Sequence, residues 1–194
     1  MFELAIEIDT ISQFNARMMQ KMSKISIDKY DLALLDALQR KGNATNAMLG
    51  EQIHLSASQI SRRIQRLEEE GLIDRYVALL APAALGLGVT VFAQVILERH
   101  NDTTSETFES QATLVPEVID CYAISGDADY MLRLVVPDLS AFSELLIKRL
   151  LNLPGVARIK TSIALKSIKQ THELPLDHLR QPGKAKQRLR SPGN

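Results

Sequence analysis

Between Ser58 and Arg66 the chain reads SQISRRIQR, a run whose side chains can both grip and read a nucleic acid. An arginine can hold a guanine edge with two hydrogen bonds or pair with a phosphate, a glutamine can do the same for adenine, and a small serine lets a helix sit deep in a groove. Placing Ile60 on a buried face and stepping 100° per residue sends Ser58, Arg62, Gln65 and Arg66 to the opposite side, with Gln59 and Arg63 flanking them. Ser61 completes the candidate set. The same residues would also suit an ordinary solvated helix face, because Glu68, Glu69 and Glu70 follow directly and carboxylates one turn away commonly pair with arginines.

The elements around this run decide between the two. Tyr30, Leu34 and Leu38, with Leu35 beside them, stripe a helix from about Asp28 to Arg40 that Gly42 stops. Thr45 caps a short second helix through Met48, Leu49 and Ile53, and IHLS leaves room only for a tight turn before the third. In that third helix Ser56 and Gln59 make a capping box, Ile60, Ile64 and Leu67 form the buried stripe, and Gly71 supplies a left-handed terminator. LIDRYVALL then alternates like a small hairpin or wing. Three helices with a short turn between the last two, followed by a strand pair, are the layout of a winged helix-turn-helix, in which the third helix enters the major groove by its amino-terminal half. That places the acidic run at the end pointing away from the groove.

Pro82, Gly86 and Gly88 mark a linker, after which the period changes from 3.6 to 2 in VTVFAQVIL. A helix around Phe108, Ala112 and Val115 follows, then strands from Val118 to Ser125 and Tyr130 to Val136 about a turn at Gly126 and Asp127. Leu139, Phe142, Leu146 and Leu150 stripe a further helix ending near Pro154 and Gly155, and Ala157, Ile159, Thr161, Ile163 and Leu165 alternate along a last strand. The order βαββαβ is that of a ferredoxin-like fold. The expected class is therefore α+β: an amino-terminal extension at 1–26, a winged helix-turn-helix domain at 27–80, a linker at 81–88, a ferredoxin-like domain at 89–172 and a largely disordered tail at 173–194. One helical layer leaves the other sheet face bare, so a domain this small gains by burying that face against a copy of itself.

In the extension, Leu4, Ile8, Ile11, Phe14, Met18 and Met22 form an amphipathic stripe, although Met22 would also serve as a start. In the tail, Lys184, Lys186, Arg188 and Arg190 stand without an acidic residue, to solubilise the chain or to touch phosphates. The formal net charge is zero, so any nucleic-acid affinity must come from a local basic surface. With 45% apolar and 24% charged residues, no apolar run of membrane-spanning length and no secretion signal, the expected location is cytoplasmic. The single cysteine, Cys121, excludes an intrachain disulfide and a cysteine metal cluster, and suits a buried position on its strand. His54, His100, His172 and His178 are scattered without metal-ligand spacing, and there is no phosphate loop, dinucleotide fingerprint or paired-carboxylate site. Neither an enzyme nor a cofactor or metal is expected.

The segments IDKYDLALLDALQRKGNAT, LSASQISRRIQRLEEEGLIDRYVALLAP, SGDADYMLRLVVPDLSAF and LPGVARIKTSIALKSIKQTHELPL resemble the Lrp/AsnC family of feast/famine regulators over about Ile27 to Leu176. The resemblance implies a homodimer, in many members an octamer, that binds promoter DNA and takes an amino acid or related metabolite in a cleft between dimers. It carries the effector role to Gly126, Asp127 and Asp129 in GDADY, and more weakly to Thr161 and Ser162 from a neighbouring subunit. Asp129 would then face the effector's ammonium, while backbone amides at Gly126 and the hydroxyls of Thr161 or Ser162 would hold its carboxylate. The other reading of the same residues is a tight hairpin turn capped by Asp129. Many members carry an aromatic residue where this chain has Ala128, which leaves the pocket short of one wall. The alternative function is a metabolite-binding module whose amino-terminal helices contact a protein partner.

Overall fold

A computed structural model describes residues 26–98 and 102–180; the expectations for the amino-terminal extension and for 181–194 lie outside them. The chain divides into two compact units, one running to Ala78 and taking in residues from Thr171 onward, the other Leu79–Gln170.

In the first unit, α1 (Lys29–Arg40), α2 (Asn46–Ile53) and α3 (Ala57–Glu69) begin at caps legible in the sequence. Asp28 caps α1 in a box with Asp31, Thr45 Oγ1 accepts from Met48 N, and Ser56 and Gln59 form the expected box on α3. Leu34, Leu38, Leu49, Ile53, Ile60 and Leu67 are buried together where the helices meet. The turn from α2 to α3 is tight because Leu55 N donates to Gly50 O, and a Cβ on Gly50 would lie 2.5 Å from the Leu55 carbonyl oxygen. Past α3 the backbone turns at Gly71, φ +73°, and both Leu72 N and Ile73 N donate to Leu67 O.

The hairpin expected in LIDRYVALL is not formed: residues 72–81 contain no strand. The segment lacks a turn pair such as Asn-Gly that would favour a tight two-residue reversal. Its alternation instead leaves Tyr76, Val77, Leu79 and Leu80 exposed.

Residues 171–180, which the sequence reading divides between the second domain and a tail, group with the first unit. Gln39 Nε2 donates to Leu174 O at 3.2 Å, and Leu174 N donates to Gln39 Oε1 at 2.9 Å, so the amide of α1 pairs with this segment as a strand would. Arg40 and Glu173 form an ion pair at 3.5 Å and Arg180 and Asp36 one at 3.6 Å.

The second unit has the expected βαββαβ order: β1 (Val89–Leu97), α4 (Asp102–Ala112), β2 (Val118–Ala123), β3 (Tyr130–Val136), α5 (Leu139–Lys148) and β4 (Val156–Ile163). The antiparallel sheet runs β2-β3-β1-β4, with Val95 opposite Tyr130 on one side and Ile159 on the other. Val91, Ala93 and Val95 alternate into a core completed by Leu132 and Leu134 of β3, Phe108 of α4 and Phe142 of α5. Leu139, expected on the buried stripe of α5, is its first residue and is exposed. Cys121 is half-buried against the core, and burial, with Glu109 nearby, pushes its thiol pKa up.

Alanine at Gly50 should destabilise the first unit by about 1–3 kcal/mol, since the contact is with backbone that cannot step aside. A urea titration should show the loss as a lowered midpoint.

Candidate nucleic-acid interface

The surface of α3 is sorted by one buried carboxylate. Asp31, fully buried at the third position of α1, lies between two arginines of α3: Arg63 Nη1 is 2.6 Å from Oδ1 and Arg66 Nη2 is 2.5 Å from Oδ2. Its Oδ2 also accepts from Asp28 N at 2.9 Å. Arg63 Nη1 reaches Asp28 Oδ2 at 2.8 Å as well, with its guanidinium over the Tyr30 ring at 5.4 Å. Burial works to raise the Asp28 carboxyl, but the Asp31 backbone N–H and Arg63 outweigh it and hold the pKa below its usual value. Burial likewise works to lower Arg63, and its bonds to Asp31 and Asp28 outweigh that and raise it.

The seven predicted DNA-contacting residues therefore fall into three groups. Arg63 and Arg66 are half-buried and committed to the clamp. Gln59 is exposed but gives its side-chain oxygen to Ser56 N at 2.9 Å, and Gln65 Nε2 donates to Glu69 Oε1 at 2.9 Å. Ser58, Ser61 and Arg62 are exposed on the side away from Ile60 and Leu67. The helical wheel finds the outward face but counts all three arginines among the DNA-contacting residues. It misses Asp31, whose signal is an acidic residue standing three before Leu34 and seven before Leu38 on an apolar stripe, where only a paired carboxylate is tolerated.

In the second unit the turn between β2 and β3 is fastened to the end of β1. Ile124 N donates to Asp129 O, Asp129 N donates to Val95 O, and Asp129 Oδ2 accepts from Leu97 N at 2.8 Å. Asp129 thus organises the turn, while Gly126 (φ +129°) and Asp127 stand exposed at its tip. Tyr130, next in sequence, packs its ring 4.6 Å from Phe108 and donates its hydroxyl to Glu109 Oε1 at 2.7 Å; burial first, then Glu109, raise its pKa to about 12. Thr161 and Ser162 lie across β1 on the edge strand β4, opposite Ala93 and Phe92. As strand neighbours they point to opposite faces, Thr161 with Ala93 toward the helices and Ser162 with Phe92 toward the helix-free side. A single chain brings the five candidates onto one sheet but not to one point.

Comparison with known proteins matches both units. Residues 27–74 fit the profile for winged helix-turn-helix DNA-binding, and residues 90–174 the profile for the Lrp/AsnC ligand binding domain. The leucine-responsive regulatory protein of Escherichia coli is 36% identical over 76% of this chain and 90% of its own length. The chain belongs to the Lrp/AsnC family. A transcriptional regulator from Neisseria meningitidis, solved in complex with L-Met, is 38% identical with a TM-score of 0.77, covering 79% of this chain and 99% of that one. An AsnC family regulator from Agrobacterium tumefaciens is 37% identical with a TM-score of 0.75, over 79% and 99% of the two chains. A feast or famine regulatory protein from M. tuberculosis, complexed with L-methionine, is 25% identical with a TM-score of 0.70, over 77% and 99%.

Membership decides what the residues left open. This Lrp/AsnC protein is a DNA-binding transcription regulator with a ligand-binding domain. No helix among the described residues is long and apolar enough to cross a membrane.

Replacing Asp31 by alanine should destabilise the first unit by about 3 kcal/mol, the scale for breaking a buried ion pair, because Arg66 loses its partner and Arg63 is left with Asp28 alone. Thermal unfolding should register it as a lower midpoint for the transition of this unit.

Proposed function

We propose that α3 enters the major groove of promoter DNA with Ser58, Ser61, Arg62 and Gln65 toward the bases, and that Arg62 makes the leading contact. The carrying observation is the division of labour on α3. Asp31 holds Arg63 and Arg66 against α1, and Arg62 stands exposed outside that clamp. A guanidinium there can reach a guanine edge or a phosphate, and the capped amino terminus of the helix favours the negative backbone. Arg63 and Arg66 fix the helix that carries it, and Gln59 closes its cap.

The second unit, on this reading, binds a free amino acid and passes the event to DNA through assembly. Relatives solved with L-methionine support the ligand class. The exposed turn at Gly126 and Asp127 offers backbone amides for a carboxylate and an anion for an ammonium. Asp129 keeps the turn in place through Leu97 N, so the ammonium partner is Asp127 rather than Asp129. Because Thr161 and Ser162 lie elsewhere on the sheet, any part they play comes from a neighbouring subunit. The helix-free face carries the exposed rings of Phe92 and Tyr122 beside the Asp120–Arg133 ion pair, and a homodimer closing on this face, with octamers as a further level of assembly, would bury them. The protein works in the cytoplasm, where its DNA is.

Arg62→Ala should weaken binding to DNA from upstream of the protein's own gene by about 1–3 kcal/mol per subunit, read by fluorescence anisotropy at fixed salt. Unchanged affinity would remove α3 from the groove. Asp127→Asn should bind the same DNA as the unsubstituted protein does, yet lose the change in affinity produced by a mixture of L-amino acids; a retained response would move the effector site away from the turn.

A further inference from the structure

Between the first half of α1, the end of α2 and residues 179–180, the first unit holds a cavity of about 490 Å³. All its lining residues belong to that unit, whereas the turn at Gly126 and Asp127 belongs to the other. Leu32, Ile53 and Leu179 give it an apolar lining, with Leu32 and Ile53 buried. A volume in this range suits a small molecule, and apolar walls with a few converging polar groups are the usual makeup of such a site.

Charge decides what kind of molecule. The lining carries two carboxylates, Asp28 and Asp36, and two cations, Lys29 and Arg180. The carboxylates are answered from outside the cavity. Asp28 Oδ2 takes Arg63 Nη1 at 2.8 Å and its Oδ1 accepts from the backbone of Tyr30 and Asp31, while Asp36 pairs with Arg40 at 3.1 Å. The cations are not matched in this way. The Lys29 ammonium rests 4.9 Å over the Tyr30 ring and forms no ion pair with a described residue. Arg180 stands 3.6 Å from Asp36 and 3.5 Å from Asp177, beyond the length of a charge-assisted hydrogen bond. The Gln39–Leu174 amide pair and the Arg40–Glu173 ion pair hold the segment that carries Arg180 against α1. A cleft lined by under-compensated charge of one sign draws a ligand of the other.

We propose that this cavity is a binding site for a small monocarboxylate with an apolar body, its carboxylate held by Lys29 and Arg180 and its body packed on Leu32, Ile53 and Leu179. The guanidinium can take both oxygens in a forked pair, and the ammonium adds a compact charge. A phosphate would bring a second charge and leave the apolar walls unused. The ligand joins α1 to the segment ending at Arg180, so its binding stabilises the first unit.

The test titrates the full chain into 4-fluorobenzoate and follows the fluorine resonance by NMR. Saturable broadening through the millimolar range is expected, and none with 4-fluorobenzyl alcohol, which keeps the ring without the charge. With Lys29→Gln and Arg180→Gln together, the dissociation constant should rise about tenfold or more. Ala33, an exposed residue of α1, also lines the cavity, and Ala33→Phe fills the space while keeping both cations. That protein should lose saturable binding altogether. The acid should also raise the thermal midpoint of the first unit in the unsubstituted chain and in neither variant. No saturable binding by the unsubstituted chain would overturn the site. Equal affinity for the alcohol, or for the acid in the glutamine protein, would overturn the role of the cations. Unchanged binding by Ala33→Phe would put the acid elsewhere on the protein and overturn the cavity as its place.

Discussion

The carboxylate of Asp31 is the constraint on which the DNA-binding unit turns. A buried charge is tolerated only when it is paired and hydrogen-bonded, and here both oxygens are engaged by α3 and one also by the backbone of Asp28. The pairing dictates more than stability. It fixes the rotation of α3 about its own axis, because Arg63 and Arg66 must face α1 at the same time as Ile60 and Leu67 face the core. What remains turned outward is set by subtraction: Ser58, Ser61, Arg62 and Gln65, with the capping glutamine at the entrance. An apolar residue in place of Asp31 could fill the same space but would not specify that rotation by pairing with Arg63 and Arg66.

A comparable economy holds in the second unit. Asp129 uses its backbone and its side chain to tie one turn to the last residues of β1, which leaves Gly126 and Asp127 presented on a fixed platform. The aromatic contact of Tyr130 with Phe108 continues the fastening into the core directly behind it. A site built at this tip is therefore exposed in its contacting groups and rigid in its support, as selective recognition of a small ligand requires.

Most of the architecture was legible because it is written in local signals. Caps at Asp28, Thr45 and Ser56, the left-handed Gly71, and the change of period after Gly88 fix the helices and strands without knowledge of what they touch. The partition among the arginines was not legible, because a helical wheel gives direction but not the partner across the helix pair, and that partner lies some thirty residues away. The same limit explains Asp129, whose acceptor role depends on Leu97 from another strand, and the pairing of Leu174 with Gln39 across 135 positions. The missing hairpin is the opposite case. Its alternation was a true local signal, but a ladder needs a partner, and none among the described residues pairs with 72–81.

The chain enters the effector unit after Ala78 and leaves it before Thr171, so that unit is an insertion and the DNA-binding unit is discontinuous in sequence. This imposes an order on biosynthesis. The helices of the DNA-binding unit emerge first, but the segment that pairs with Gln39 and Asp36 does not exist until the whole effector unit has been made. The DNA-binding unit thus acquires these contacts only on a polypeptide that already carries the ligand-binding unit, and a nascent chain arrested before residue 171 holds α1 without the segment that pairs with it.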